Sequence, residues 1–414
     1  MKIKVNTIYS IFFSIILLSQ LYIPSFKFNI FLQIGVLLLF LVIPNNKIAV
    51  KTLLKLSPLL IIVLLGILIG FIYSNKIGVF IKDLFYFIKP VIGIILGYLF
   101  FKKTDNFKLF LKTIILTGLA SALVHLIIVL FFTNFLSGSV SQLREFTKDN
   151  FLELFAIILL FFSEDYLETP LFSKKRKLQI LIILFISAIL YFSRTMFVAG
   201  ILMVMAVKGY TVITARTVKL IALLLLSISL LYVYLFSVKL ERNAVGFNGF
   251  LYKLKMAPGE IFISKINRED HRKLWDHWRA YEASRAITLM QENPMSFLVG
   301  TGLGSEINLK FYSPLGDGKK GLKYISEIHN GYIFVFYKTG LIGILFYLFF
   351  LIKLYRTSYF QNNYISNLIS GIGLFYFFSS LIITGMFNKR DIVVLVLGGL
   401  LFFKSVENQL NERK

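Results

Sequence analysis

The residues best suited to chemistry gather at one junction. Glu327-Ile328-His329-Asn330-Gly331-Tyr332 leads from a polar connection into an apolar run that contains Gly340-Leu341-Ile342-Gly343. A neutral imidazole at an aqueous edge can take a proton near neutral pH. Asn330 is a residue type that caps a helix and can set the ring's orientation. Glu327 is a rival base and Glu306 a weaker one. The blander alternative is a histidine that merely sits at an interface. Upstream, Pro294 is followed by Gly300-Thr301-Gly302-Leu303-Gly304. This run lacks the strand-then-helix context and acidic partner of a dinucleotide fold. Its amides suit an anion cradle or a tightly packed turn equally well.

Basic residues form the second group. Arg194, in Ser193-Arg194-Thr195, interrupts two apolar runs that would otherwise nearly merge. Charge at membrane depth is costly and points to function, although a turn residue can also snorkel outward. Arg144 precedes Asn150, and Arg272, Arg279 and Arg285 lie along one helical stretch. Lys82, Asp83 and Lys89 share another apolar segment, and the spacing of the two lysines puts them on one helix face. Guanidinium forks match phosphate oxygens and lysine acts as a point charge. A membrane-embedded lipid diphosphate is the natural partner for such a set. A metal site is not expected. His271 and His277 are not a helical i, i+4 pair, no HExxH or Asp-x-Asp is present, and there is no cysteine. No cofactor is expected either. His125 falls in the middle of an apolar run and reads as packing or helix–helix hydrogen bonding.

These residues need elements to hold them, and composition says which. Of 414 residues, 57% are apolar and 16% charged, with 44 phenylalanines. The mean hydropathy is +0.77. A soluble chain of this size has too little interior for so much hydrocarbon. The expected fold is an all-α polytopic membrane protein. At roughly 17–25 apolar residues per crossing, twelve candidate spans are read, at about 8–23, 30–44, 53–73, 79–101, 109–132, 151–163, 178–193, 195–209, 217–237, 330–352, 364–386 and 391–404. The first reads as a retained span, since no small-residue cleavage site follows it.

Charge tests this alternation. With the N-terminus inside, the cytoplasmic segments hold Lys47, Lys51 and Lys55, then Lys102, Lys103, Lys108 and Lys112, then Lys174, Lys175, Arg176 and Lys177, and finally Lys404, Arg413 and Lys414. Much of the net charge of +24 is therefore topological, and no nucleic-acid partner is expected. Both termini are placed in the cytoplasm. The chain divides into residues 1–237 with nine spans, an external loop domain at 238–328, and residues 329–414 with three spans and a tail. The loop carries Trp275 and Trp278, and its stretch from about Glu269 to Glu292 is expected to form one amphipathic helix over the membrane face.

The order of these features resembles the bacterial O-antigen polymerase and ligase family of integral-membrane glycosyltransferases. The features are Ser-Arg between two spans, Arg279 followed by Pro294, then GTGLG, then His329-Asn330 leading into Gly340-Leu341-Ile342-Gly343. Arg144 with Asn150 is also similar. The resemblance implies a GT-C-like enzyme of the inner membrane that transfers a glycan from undecaprenyl diphosphate at the periplasmic face. It makes His329 the base and Arg194 and Arg279 the diphosphate clamps. Arg144, Lys82, Lys89, Arg272, Arg285, Asn330 and Glu327 then become substrate-binding candidates. Expected partners are the undecaprenyl-diphosphate-linked glycan, the lipid bilayer and a chain-length regulator. A polymerase of repeat units is favoured over a ligase to lipid A–core. A flippase or other secondary transporter is the alternative of another class.

Overall fold

The computed structural model describes residues 5–23, 25–42, 48, 50–73, 75–132, 150–191, 193–242, 244, 246–262, 266, 270–314 and 321–412. Long apolar runs can satisfy their own amides away from water only as helices or closed barrels, and here they are helices. The chain runs through α1 Val5–Tyr22, α2 Phe26–Val42, α3 Val50–Ile72, α4 Ile77–Thr104 and α5 Phe107–Phe132. It continues through α6 Phe151–Phe162, α7 Lys174–Leu190, α8 Arg194–Val207 and α9 Ala215–Ser237. The last long helices are α15 Gly331–Tyr355, α17 Tyr364–Ile382 and α18 Val393–Glu412, with the short α16 Thr357–Phe360 between the first two. Each of the twelve expected spans coincides with one of these long helices.

Among the described residues, eight helices are long and apolar enough to cross a membrane: α1, α3, α4, α5, α9, α15, α17 and α18. The chain is a multi-pass membrane protein. The expectation of twelve full crossings meets a limit in α6 and α8, which have 12 and 14 residues. At ~1.5 Å per residue, neither reaches across ~30 Å of hydrocarbon alone.

Packing separates a core from a lipid-facing fringe. α4 and α18 lie so close that a Cβ on Gly97 or Gly398 would overlap the carbonyl of Leu395 or Ile94, the small-residue contact typical of membrane helices. The phenylalanines interlock around them: Phe100 meets Phe13 at 5.1 Å and Phe40 at 4.7 Å, both edge-on. In contrast, α9 has only 6% of its apolar window buried, so its hydrocarbon faces lipid.

The connection between α9 and α15 is built of short pieces. They are α10 Gly246–Met256, α11 Gly259–Phe262, α12 His271–Asp276, α13 Trp278–Gln291 and α14 Ser296–Val299. A hairpin follows, β1 Ile307–Ser313 against β2 Leu322–Ile325, antiparallel with Ile307 opposite Ile325. It was not foreseen in an all-α reading. The single amphipathic helix expected over about 269–292 is instead two, broken at His277 (φ −118°, ψ 28°). Its apolar face covers protein. Leu274, Trp278, Tyr281 and Ala286 are buried, Tyr281 donates its hydroxyl to the Leu309 carbonyl at 2.5 Å, and Trp278 and Tyr281 both approach the Phe311 ring.

Candidate active site

His329 immediately precedes α15, and Asn330 is the cap that starts the helix. The Asn330 Oδ1 accepts from Ile333 N at 3.1 Å, as its residue type suggested. Its Nδ2 donates to the Leu381 carbonyl at 3.2 Å, so both ends of this amide serve the fold. The ring of His329 is held from α13. Nδ1 lies 2.9 Å from Oε1 and 3.0 Å from Oε2 of Glu282, and the His329 backbone N donates to Oε2 at 2.9 Å. Glu282 is fully buried, whereas the His329 side chain is 48% exposed. An ionised carboxylate only accepts, so Nδ1 carries the ring proton and Nε2 keeps its lone pair. Nε2 has no hydrogen-bond partner among the described residues, which leaves it available to a substrate.

Several forces act on the ring's basicity. Burial, the largest, opposes the charged form. The hydrogen bond and charge of Glu282, with the charge of Glu327, overcome it and the opposing Arg279, and carry His329 above its usual value. The arrangement is a partly exposed imidazole with a buried carboxylate behind it, a pairing suited to general-base chemistry.

Arg194 and Arg279 converge on one acid. Arg194 opens α8, where Ser193 Oγ caps the helix by accepting from Met196 N. Its Nη2 meets Oε1 of Glu260 at 2.9 Å, and Nη1 donates to the Lys253 carbonyl. Arg279 on α13 donates Nη1 to Oε2 of the same Glu260. Two guanidinium groups 85 positions apart in the chain thus bracket a single anionic group. The Nε of Arg279 is shielded from solvent and has no acceptor among the described residues. From the Arg194 end, an apolar groove runs along α8 between α6, α7 and α9, lined by Leu154, Phe185, Met196, Phe197, Ile201 and Val204.

Two residues before His329, Glu327 accepts from the Tyr86 hydroxyl of α4 at 3.0 Å. Lys82 is exposed and stands 5.8 Å from the centre of the Tyr86 ring. Lys89, a substrate-binding candidate by sequence, is turned to the fold instead. It is fully buried and donates to the carbonyls of Asn388 at 2.7 Å and Asp391 at 3.1 Å. The reason is that α18 and the segment before it cover this turn of α4. Arg285 is also committed, donating Nε to the Asn308 carbonyl of β1 at 2.9 Å, which ties α13 to the hairpin. Arg144 and the side chain of Arg272 lie outside the described residues.

The glycine run is a packed turn rather than an anion cradle. Its amides are already taken: Thr301 N by Tyr337 O, Gly302 N by Lys338 O, Leu303 N by Gly66 O and Gly304 N by Asp83 Oδ2. Gly300, Gly302 and Gly304 all have positive φ, and a Cβ on Gly302 would overlap the backbone of Gly70 in α3. Asp83 also receives the ammonium of Lys338 on α15, and both are buried. Gly340 (φ 63°) kinks α15 two residues later. This turn therefore pins the loop to α3, α4 and α15, and with them the position of His329.

Glu282, Glu260 and Lys338 were not singled out by sequence reasoning. Glu282 had a readable signal, since it lies four residues after Trp278 and four before Ala286, on the buried stripe of its helix. His125 has the interhelical role expected of it: Nδ1 pairs with Ser187 Oγ of α7 at 2.8 Å and the ring stacks on Tyr191 at 3.8 Å. Ser187 and Tyr191 in turn reach buried Glu153 of α6, as does Asn150.

Residues 179–348 match the family described as O-antigen ligase. The matched span includes Arg194, Glu260, Arg279, Glu282 and His329. No curated protein matches the chain.

Proposed function

We propose, from the match of residues 179–348 to the family described as O-antigen ligase, that the protein is a polymerase of that kind. It joins repeat units carried on a polyprenyl diphosphate, at the periplasmic face of the inner membrane, by inverting glycosyl transfer. The observation that carries this reading is His329, with Nδ1 bound to buried Glu282 and Nε2 without a partner among the described residues.

Nε2 of His329 takes the proton of an acceptor sugar hydroxyl as that oxygen bonds to the anomeric carbon of the donor. The bond from that carbon to the diphosphate oxygen breaks, and the diphosphate leaves with the electron pair. Arg194 and Arg279 exchange Glu260 for the diphosphate and stabilise the charge that builds on it. The polyprenyl chain then lies in the apolar groove along α8. Glu282 holds the imidazolium as it forms. Attack from the face opposite the leaving group inverts the anomeric centre, and the reaction needs no metal.

The test is the surface glycan of a host lacking the gene, run beside its lipid-linked intermediates. Loss of the ladder with single repeats left on lipid A–core supports the polymerase. Bare core with long polymer stranded on the carrier would make the protein a ligase with the same machinery. Repeat units trapped on the cytoplasmic face would mean a flippase and would overturn the catalytic role of His329.

A further inference from the structure

The segment 383–392, between α17 and α18, carries an arginine that the reaction above does not use. Nε and Nη1 of Arg390 are shielded from solvent and have no acceptor among the described residues. Burial alone holds this guanidinium below its usual pKa, with no acidic group offsetting it. Leaving such donors unpaired costs free energy comparable to a lost charged hydrogen bond. The backbone around Arg390 is nonetheless fixed. Gln20 of α1 donates to the carbonyls of Lys389 and Asp391, Lys89 of α4 donates to those of Asn388 and Asp391, and Arg390 N donates to Asn388 Oδ1 at 2.9 Å.

This segment is tied to the base. Gly331 N, two residues past His329, donates to the Ile383 carbonyl at 3.1 Å. Phe387 packs its ring against Phe87 of α4 at 4.9 Å and Phe334 of α15 at 6.3 Å. Lys82 also stands on α4, and neither it nor Lys389 has a carboxylate partner among the described residues. Arg194 and Arg279 stand on other elements, α8 and α13, where both are bound to Glu260.

We propose that Arg390 is a second anion site, which holds the phosphate of a membrane-anchored acceptor while its sugar hydroxyl reaches His329. The inference rests on the proposed transfer reaction. Two cationic stations then flank one base: Arg194 and Arg279 for the leaving diphosphate, and Arg390 for a phosphate that stays bonded to its lipid. The occupant is a phosphate ester or diphosphate on a lipid.

The experiment uses the full-length protein in nanodiscs, with donor and acceptor varied separately. Acceptors are a repeat unit on polyprenyl diphosphate and a phosphorylated glycolipid core, and each is also supplied with its phosphate removed. Arg390→Gln should raise the acceptor KM by about tenfold, as expected for a lost charged hydrogen bond, and leave the donor KM within about twofold. Arg390→Lys should recover part of the loss because it keeps charge without the fork. Whichever acceptor shows the effect identifies the source of the phosphate. An unchanged acceptor KM, an equal effect on the phosphate-free acceptor, or a raised donor KM would overturn the site. So would a loss cured by anionic phospholipid, which would make Arg390 a headgroup anchor. Absence of transfer by the unmodified protein would count against the proposed reaction itself.

Discussion

Nδ1 of His329 lies 2.9 Å from Oε1 of Glu282, joining the start of a membrane helix to the buried face of a loop helix 47 residues earlier. The carboxylate also accepts the backbone N of His329 at 2.9 Å. It therefore fixes the tautomer, the ring and the chain entering α15 at once.

A pH profile follows from that contact. The base works only as neutral imidazole, and Glu282 raises its pKa, so kcat/KM should climb as pH rises through a value above the ordinary histidine range. Glu282→Gln removes the largest of the interactions that raise the pKa and leaves burial and Arg279, which lower it, opposed by Glu327 alone. The acid limb should shift to lower pH, while the plateau falls by roughly tenfold or more because the imidazolium loses its partner. An unmoved limb would separate Glu282 from the titration.

The carboxylate of Glu260 occupies the place assigned here to a diphosphate. Glu260→Gln should strengthen donor binding by about threefold or more, since a neutral amide competes less well for the two guanidinium groups. Arg194→Lys should retain only part of the transfer rate, because an ammonium supplies charge but not the paired donors. A donor KM that rises in Glu260→Gln would show the acid to be a necessary strut.

Legibility in the sequence followed the range of the interaction. The helices were legible because a span needs its apolar residues consecutively, and each of the twelve segments became a helix. Asn330 as cap was equally local. Glu260 and Arg194 are 66 residues apart, and no periodicity announces such a meeting. Lys89 shows the converse: its spacing from Lys82 gave the helix face correctly, but not that the segment before α18 would cover one lysine and leave the other exposed. Lys338 was passed over inside an apolar run, although a lone lysine there signals a buried partner.

That partner is Asp83, and the pair can be tested by a cycle. Lys338→Met or Asp83→Asn alone leaves an uncompensated buried charge and should cost about 3–5 kcal/mol, whereas the double variant should cost less than either single change. Thermal unfolding in detergent measures it. Additive losses would show that the two side chains act independently.

Gly302 offers a test of the packed turn. Gly302→Ala places a methyl group against the Gly70 backbone at a positive φ, with strain of about 1–3 kcal/mol before the overlap is counted. The protein should lose thermal stability in the absence of any ligand. Undiminished stability with weakened donor binding would restore the anion-cradle reading.

The most direct test of the account is the transfer rate of His329→Ala, measured with lipid-linked donor and acceptor at matched membrane abundance. Loss of a positioned base predicts a fall of about 100-fold or more, with donor binding retained because Arg194 and Arg279 are untouched. Transfer at the unmodified protein's rate would contradict the assignment of His329 as the base.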